Sequence, residues 1–348
     1  MGDFLMINFV NDYSELAHPL ILKRITECCY EQNPGYGEDT HCQAAADKIR
    51  TFLGNVEADI FFLPGGTSVN LTTLDAMMRP FDAVIATERG HIATHEAGAI
   101  EATGHKVIEM PGEDGKITPM DIEEAVAEHA ALPFHMVRPR VVYISDTTEI
   151  GSVYTKAELT AIREACTRHN LLLYLDGARL GSALTSPVND LTMKDLVWLT
   201  DAFTIGGTKN GAMLGEALVI SNKDISRDFR WFMKQRGSMM AKGFLIGMQY
   251  EVLFTDRLYF RLADHANKMA EIIKDACVAA HTPFLSRPAS NQIFPVMDNS
   301  MINRLRKDFA FQIWEPADES HSIVRFVTSW ATREEHVQQL ADAIKAGK

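Results

Sequence analysis

The sequence predicts an α/β protein: a large domain on a mostly parallel central sheet, then a smaller C-terminal α+β domain. Three observations carry this. Seven short, nearly all-apolar runs punctuate residues 60–220, and runs of that kind suit strands covered on both faces by helices. Helix-start signals stand between several of them. From about Asp228 the alternation gives way to long helical patterns and a late strand. Alternating strand and helix signals mark a layered α/β arrangement.

The first thirty or so residues read as an arm and an opening helix. Strand-like runs follow at 60–63, 83–86, 107–110, 141–144, 171–175, 203–205 and 217–220. Thr118-Pro119-Met120-Asp121 supplies an N-cap, a proline at the first helical position and an acid at N3. Thr155-Lys156-Ala157-Glu158 is a capping box before a periodic stretch ending near Asn170. A Met-rich segment around Met239 and Met240 leads into helical patterns through Cys277. Residues 322–328 read as a strand, and Thr332-Arg333-Glu334-Glu335 as the cap of a final amphipathic helix. The chain thus divides into an arm over 1–20, a large domain over 21–240 and a small domain over 241–348. No internal repeat or low-complexity linker interrupts it.

Hydrophobic residues make up 46% and charged residues 23% of 348 positions, as in ordinary globular proteins. A formal net charge of -12 argues against a general nucleic-acid binder, which needs a basic surface. It leaves room for a local basic pocket. The five cysteines are Cys28, Cys29, Cys42, Cys166 and Cys277. Their odd number and the lack of C-x-x-C spacing fit free thiols in a reducing compartment better than disulfides or a zinc site. The N-terminus carries Asp3 and no basic n-region, and no run has the apolar length of a membrane span. The expectation is a cytoplasmic protein with no membrane or nucleic-acid partner.

The chemistry concentrates in a few runs. Lys209 sits in Thr204-Ile205-Gly206-Gly207-Thr208-Lys209-Asn210-Gly211, just past a buried strand. A lysine so placed has a lowered pKa and can form an imine. Asp176 ends the preceding apolar strand, in Tyr174-Leu175-Asp176-Gly177-Ala178-Arg179, where α/β sheets bind ligands. A carboxylate there can keep a pyridine nitrogen protonated, or simply cap a helix. The pair suggests pyridoxal phosphate, whose sites combine a lysine Schiff base with an acidic partner for the ring nitrogen. Phe62-Leu63-Pro64-Gly65-Gly66-Thr67-Ser68 runs from strand to helix. It suits a phosphate cup on a helix N-terminus, and equally a glycine turn capped by threonine. It lacks the lysine of a Walker loop. His91, in Arg89-Gly90-His91-Ile92-Ala93-Thr94-His95-Glu96, can lie on a cofactor ring, or be an ordinary histidine. His91, His95 and Glu96 lack the H-E-x-x-H order of a metal site. Arg179 suits bidentate carboxylate binding or a surface ion pair. Arg325, alone in an apolar strand, needs either a substrate carboxylate or a buried acid.

This ordered set resembles the threonine aldolase / β-eliminating lyase family: phosphate cup, histidine, D-G-A-R-L, G-T-K and a late R-x-V-T-S-W. Tyr36-Gly37-Glu38-Asp39 is similar to the family's Y-G-D-D region near the dimer interface. The resemblance implies a fold type I, PLP-dependent transferase-like architecture and pyridoxal 5'-phosphate as cofactor. It implies cleavage of L-threonine, L-allo-threonine or related β-hydroxy-α-amino acids to glycine and an aldehyde. It further implies a homodimer or homotetramer with active sites near the subunit interface. Lys209 would bear the cofactor, Asp176 face its ring nitrogen, Gly66 and Thr67 hold its phosphate and His91 stack on its ring. Arg179 and Arg325 would hold the substrate carboxylate.

Three departures from the family pattern bear on substrate choice. Asn11 stands where a serine contacts the substrate carboxylate. Glu149, in Thr147-Thr148-Glu149, stands where many members carry a histidine near the β-hydroxyl. The glycine-rich stretch at Gly237 ends in Lys242 rather than arginine, a phosphate or interface contact. A β-eliminating lyase, an aminotransferase and a catalytically silent PLP-fold binding protein are the alternatives. Retention of Asp176, Arg179, Lys209 and Arg325 together argues against the last.

Overall fold

A computed structural model describes residues 6–347; the first five residues of the expected arm lie outside that range. The chain opens with β1 (Ile7–Asn8) and the helix Pro19–Glu27. All seven apolar runs then become strands: β2 (Asp59–Leu63), β3 (Asp82–Thr87), β4 (Lys106–Met110), β5 (Arg138–Ser145), β6 (Leu172–Asp176), β7 (Ala202–Gly206) and β8 (Glu216–Ile220). They form one sheet in the order β2-β8-β7-β6-β5-β3-β4. β3 through β7 pair in parallel, whereas β8 runs antiparallel to both β7 and β2. β3, β6, β7 and β8 are buried at every position, which is why they read as unbroken apolar runs.

The antiparallel β8 sets a strand start among strand ends. Gly206 at the end of β7, Leu63 at the end of β2 and Glu216 at the start of β8 are register partners. The strand ends that carry Asp176, Ser145 and Leu63, and the beginning of β8, therefore open onto one edge of the sheet.

The capping boxes at Thr118 and Thr155 form, with the side chains of Asp121 and Glu158 returning the bond. The final helix differs from expectation. It spans Glu334–Lys345 with Arg333 as its N-cap, because the Thr332 hydroxyl accepts from Ser329 N–H at 2.7 Å instead.

The C-terminal part adds β9 (Gln292–Ile293), β10 (Val296–Asp298), β11 (Phe309–Ala310), β12 (Gln312–Pro316) and β13 (His321–Val327). β10, β12 and β9 all pair antiparallel with β13, while β1 pairs in parallel with β11. The arm is thus stitched to the far end of the chain. Side chains up to Leu262 pack with the large sheet, and those from Met269 pack with β13 and the last helix. Both belong to the helix Leu258–Ala279. Packing changes partner within this helix, downstream of the 240/241 division expected from sequence.

Candidate active site

A cavity of about 310 Å³ lies at that sheet edge. Its wall gathers Gly66, Thr67, His91, Glu149, Asp176, Arg179 and Lys209 from separate segments of the chain. Asn11 and Arg325 are not in that lining. Asn11 Oδ1 accepts from Tyr13 N–H and from the Ser14 hydroxyl, each at 2.9 Å, and the neighbouring Tyr13 reaches the cavity instead. Lys242 is exposed and does not reach it.

Asp176 is held by three donors. Ala178 N–H bonds Oδ1 at 2.9 Å, while Asn70 Nδ2 and Tyr143 Oη bond Oδ2 at 2.8 and 2.7 Å. Asn70 Nδ2 also bonds Glu96 Oε1 at 2.7 Å, and its carbonyl accepts from Tyr174 Oη at 2.8 Å. Glu96 in turn faces His91 Nδ1 at 2.7 Å. The remaining oxygen, Glu96 Oε2, is buried with no partner. His91 N–H and the Ser145 hydroxyl both bond Glu149 Oε1, at 2.9 and 2.7 Å. Burial works against a charged His91, but the Glu96 bond and the nearby Asp176 outweigh it and raise its pKa. Burial pushes the Glu149 carboxyl up, against the Ser145 bond.

Burial, then the Arg179 guanidinium, lower the pKa of Lys209 despite the neighbouring acids. Beside it, Glu216 accepts Gly207 N–H at 2.7 Å, and burial pushes its carboxyl up to about 7. Arg179 is committed to Asp12 by two bonds of 2.7 and 3.0 Å. Burial opposes ionisation of Asp12, but Arg179 and Lys209 overcome it and hold its carboxyl below the usual range. Arg325 is different. Its guanidinium lies 5.2 Å from the Trp314 ring centre and bonds Val10 O at 3.3 Å. Its buried Nε has no partner, and among the described residues no carboxylate pairs with it. The stacked rings of His91, His95 and Trp314 run from the cavity wall towards it.

The cavity also passes a steric test for a phosphorylated ligand. The helix Gly66–Met77 has no side-chain cap at its N-terminus, and a Cβ added at Gly65 or Gly66 would meet nothing within 4 Å. The free helix end therefore opens into space, as an anion site requires.

Residues 29–300 match the family model described as beta-eliminating lyase. The chain belongs to the beta-eliminating lyase family. A low specificity L-threonine aldolase of Pseudomonas sp. (strain NCIMB 10558) is 33% identical over 317 residues, 89% of each chain. The solved structure of Leishmania major threonine aldolase is 49% identical, covering 98% of this chain and 99% of that one, with a TM-score of 0.96. Aspartate aminotransferase of Thermus thermophilus, at 15% identity and a TM-score of 0.73 over 98% of this chain, shares the fold alone.

In this family member, sequence patterns mark most of the cavity wall but not its supports. Tyr143, Ser145 and Glu216 carry no motif of their own, and Asp12, Asn70 and Glu96 stand only as neighbours of motif residues. A buried acid at the start of β8 is the one local signal for Glu216. The other supports become visible only when distant strands meet.

Proposed function

We propose that this chain is a pyridoxal 5'-phosphate-dependent aldolase that cleaves L-threonine, L-allo-threonine or related β-hydroxy-α-amino acids to glycine and an aldehyde. The observation that carries it is the meeting of Lys209, Asp176 and the open helix end at Gly65–Thr67 on one cavity wall. The similarity to threonine aldolases from Pseudomonas and Leishmania major supports the substrate class.

Lys209, with its lowered pKa, would carry the cofactor. Gly66 and Thr67 would hold its phosphate and His91 its ring face. Asp176, immobilised by three donors, would face the ring nitrogen. When bound, the cofactor supplies the electron sink for the pair released as Cα–Cβ breaks. The chain's own residues do the rest. Arg325, beyond the cavity lining but lacking a protein carboxylate, would pair with that of the substrate, and Arg179 is oriented by Asp12. Glu149 takes the β-hydroxyl proton. Its raised pKa makes it a stronger base than an ordinary glutamate, which suits a position where many relatives use histidine. The reading extends to a homodimer or homotetramer in the cytoplasm. Four of the five free cysteines are buried, in keeping with a reducing compartment. Among the described residues no helix is long and apolar enough to cross a membrane.

The test is an aldehyde-release assay over both enantiomers of threonine, allo-threonine and phenylserine. Activity should require added cofactor, borohydride should fix that cofactor to Lys209, and Lys209→Ala should abolish turnover. Cofactor binding without aldehyde release on any substrate would overturn the aldolase reading. Release of ammonia or a keto acid instead would move the chain to elimination or transamination.

A further inference from the structure

Among the described residues, one cluster has the makings of a metal site, and it lies outside the cavity. The donor atoms of Cys28, Glu31 and His41 lie within 4.8 Å of one another. Cys28 caps the end of the helix Pro19–Glu27 and His41 opens the helix Thr40–Phe52, with Glu31 between them. None of the three lines the Lys209 cavity. We propose that Cys28, Glu31 and His41 bind one divalent, borderline-soft metal ion, zinc being the best match, with solvent as the fourth ligand.

The histidine geometry favours this. His41 Nε2 faces Glu31 Oε2 at 2.7 Å, and its other nitrogen, Nδ1, faces Glu251 Oε2 at 3.1 Å. A ligating imidazole braced through its far nitrogen by a carboxylate is the usual outer support of a metal-bound histidine. Glu251, on the helix Phe244–Leu253, is itself steadied by Arg24 Nη2 at 3.4 Å. Tetrahedral zinc with sulfur, nitrogen and oxygen ligands separates its donors by about 3.3–3.6 Å. The Glu31–His41 contact must open by about 0.7 Å, and the thiol must close by at most about 1.3 Å. Cys28 and His41 are buried, whereas the Glu31 side chain is 44% exposed and free to adjust. The same exposure provides the entry path.

The charges also balance. The 2.7 Å Glu31–His41 contact holds one proton, and the Cys28 thiol holds a second. Binding a dication releases both to solvent, so the cluster's net charge does not change. The sequence offers no hint, because C-x2-E-x9-H is not a recognised zinc spacing; the fold brings the donors together. A bound ion would tie the first two long helices and the loop between them together and stabilise only the folded chain.

The test uses the full chain with its cofactor, stripped by chelator and titrated with Co²⁺ alone. One equivalent should bind, with four-coordinate d–d bands and a thiolate-to-cobalt charge-transfer band in the difference spectrum. Zn²⁺ should displace it and raise Tm. Cys28→Ser should remove the charge-transfer band, and Glu251→Gln should weaken binding about 10- to 100-fold. Cys29→Ser, at the adjacent exposed thiol, should change nothing. If Cys28→Ser fails to fold, His41→Gln is read in the same way. No stoichiometric binding, binding that survives Cys28→Ser, or loss in Cys29→Ser would overturn the site and leave His41 as an ion-paired histidine.

Discussion

Arg179 and Arg325 carry the same charge, yet their surroundings make them behave differently. Arg179 Nε and Nη2 both bond Asp12, whose carboxylate is buried. Arg179→Ala strands that carboxylate, and stability should fall by about 3–5 kcal/mol in denaturant unfolding. Arg325 leaves no such orphan. Arg325→Ala should fold nearly as well as the parent but raise KM for amino-acid substrates about 10- to 100-fold, the worth of a charged hydrogen bond or two. If cofactor affinity collapses instead, Arg325 serves the cofactor. Asn70→Ala removes a donor shared by Asp176 and Glu96. It should cost about 1–3 kcal/mol and weaken cofactor binding in a spectrophotometric titration. Lys209 and Asp176 are legible in sequence because each sits in a short run of small or apolar neighbours. Asp12 is not, since its partner lies 167 residues away.

The elements divide along the same line. Fully buried strands announce themselves as apolar runs, and Thr118 and Thr155 cap their helices because both halves of each box lie within four residues. β1, β9 and β11, of two residues each, carry no pattern of their own and exist through pairing with remote segments. Thr332 has the right cap sequence, but its hydroxyl is taken by the Ser329 N–H on the other side. Thr155→Ala should therefore lower stability by about 1 kcal/mol with kcat unchanged, whereas Thr332→Ala should cost its helix no cap bond. Gly177, just after β6, is under far tighter constraint. A Cβ there would lie 1.9 Å from Thr204 O. Gly177→Ala should exceed the ~1–3 kcal/mol of ordinary overpacking and dislodge Asp176, seen as lost cofactor affinity.

For the molecule as a whole, the buried acid at the start of β8 shapes the response to pH. Glu216 titrates near 7 when folded, against an ordinary value of 4.5. The folded chain holds its proton in that window while the unfolded chain has released it, so stability falls as pH rises from 4.5 to about 7. Glu216→Gln should flatten this part of the profile in cofactor-free thermal melts; an unchanged slope would assign it to other groups. The Asp12 contacts reach further still. Asp12 Oδ2 also accepts from Asn291 Nδ2 at 3.0 Å, across 279 residues, and Asn291 Nδ2 is fixed to Thr328 O at 2.8 Å. Every residue lining the cavity has been synthesised once Glu216 is added. Arg179 nonetheless awaits a partner from the arm, which pairs with β11 and is bonded by Val327 at the end of the last strand. On the proposed reading, translation thus delivers the cofactor-bearing lysine early and the support of its carboxylate-binding arginine late, so competence would arrive only as synthesis nears its end.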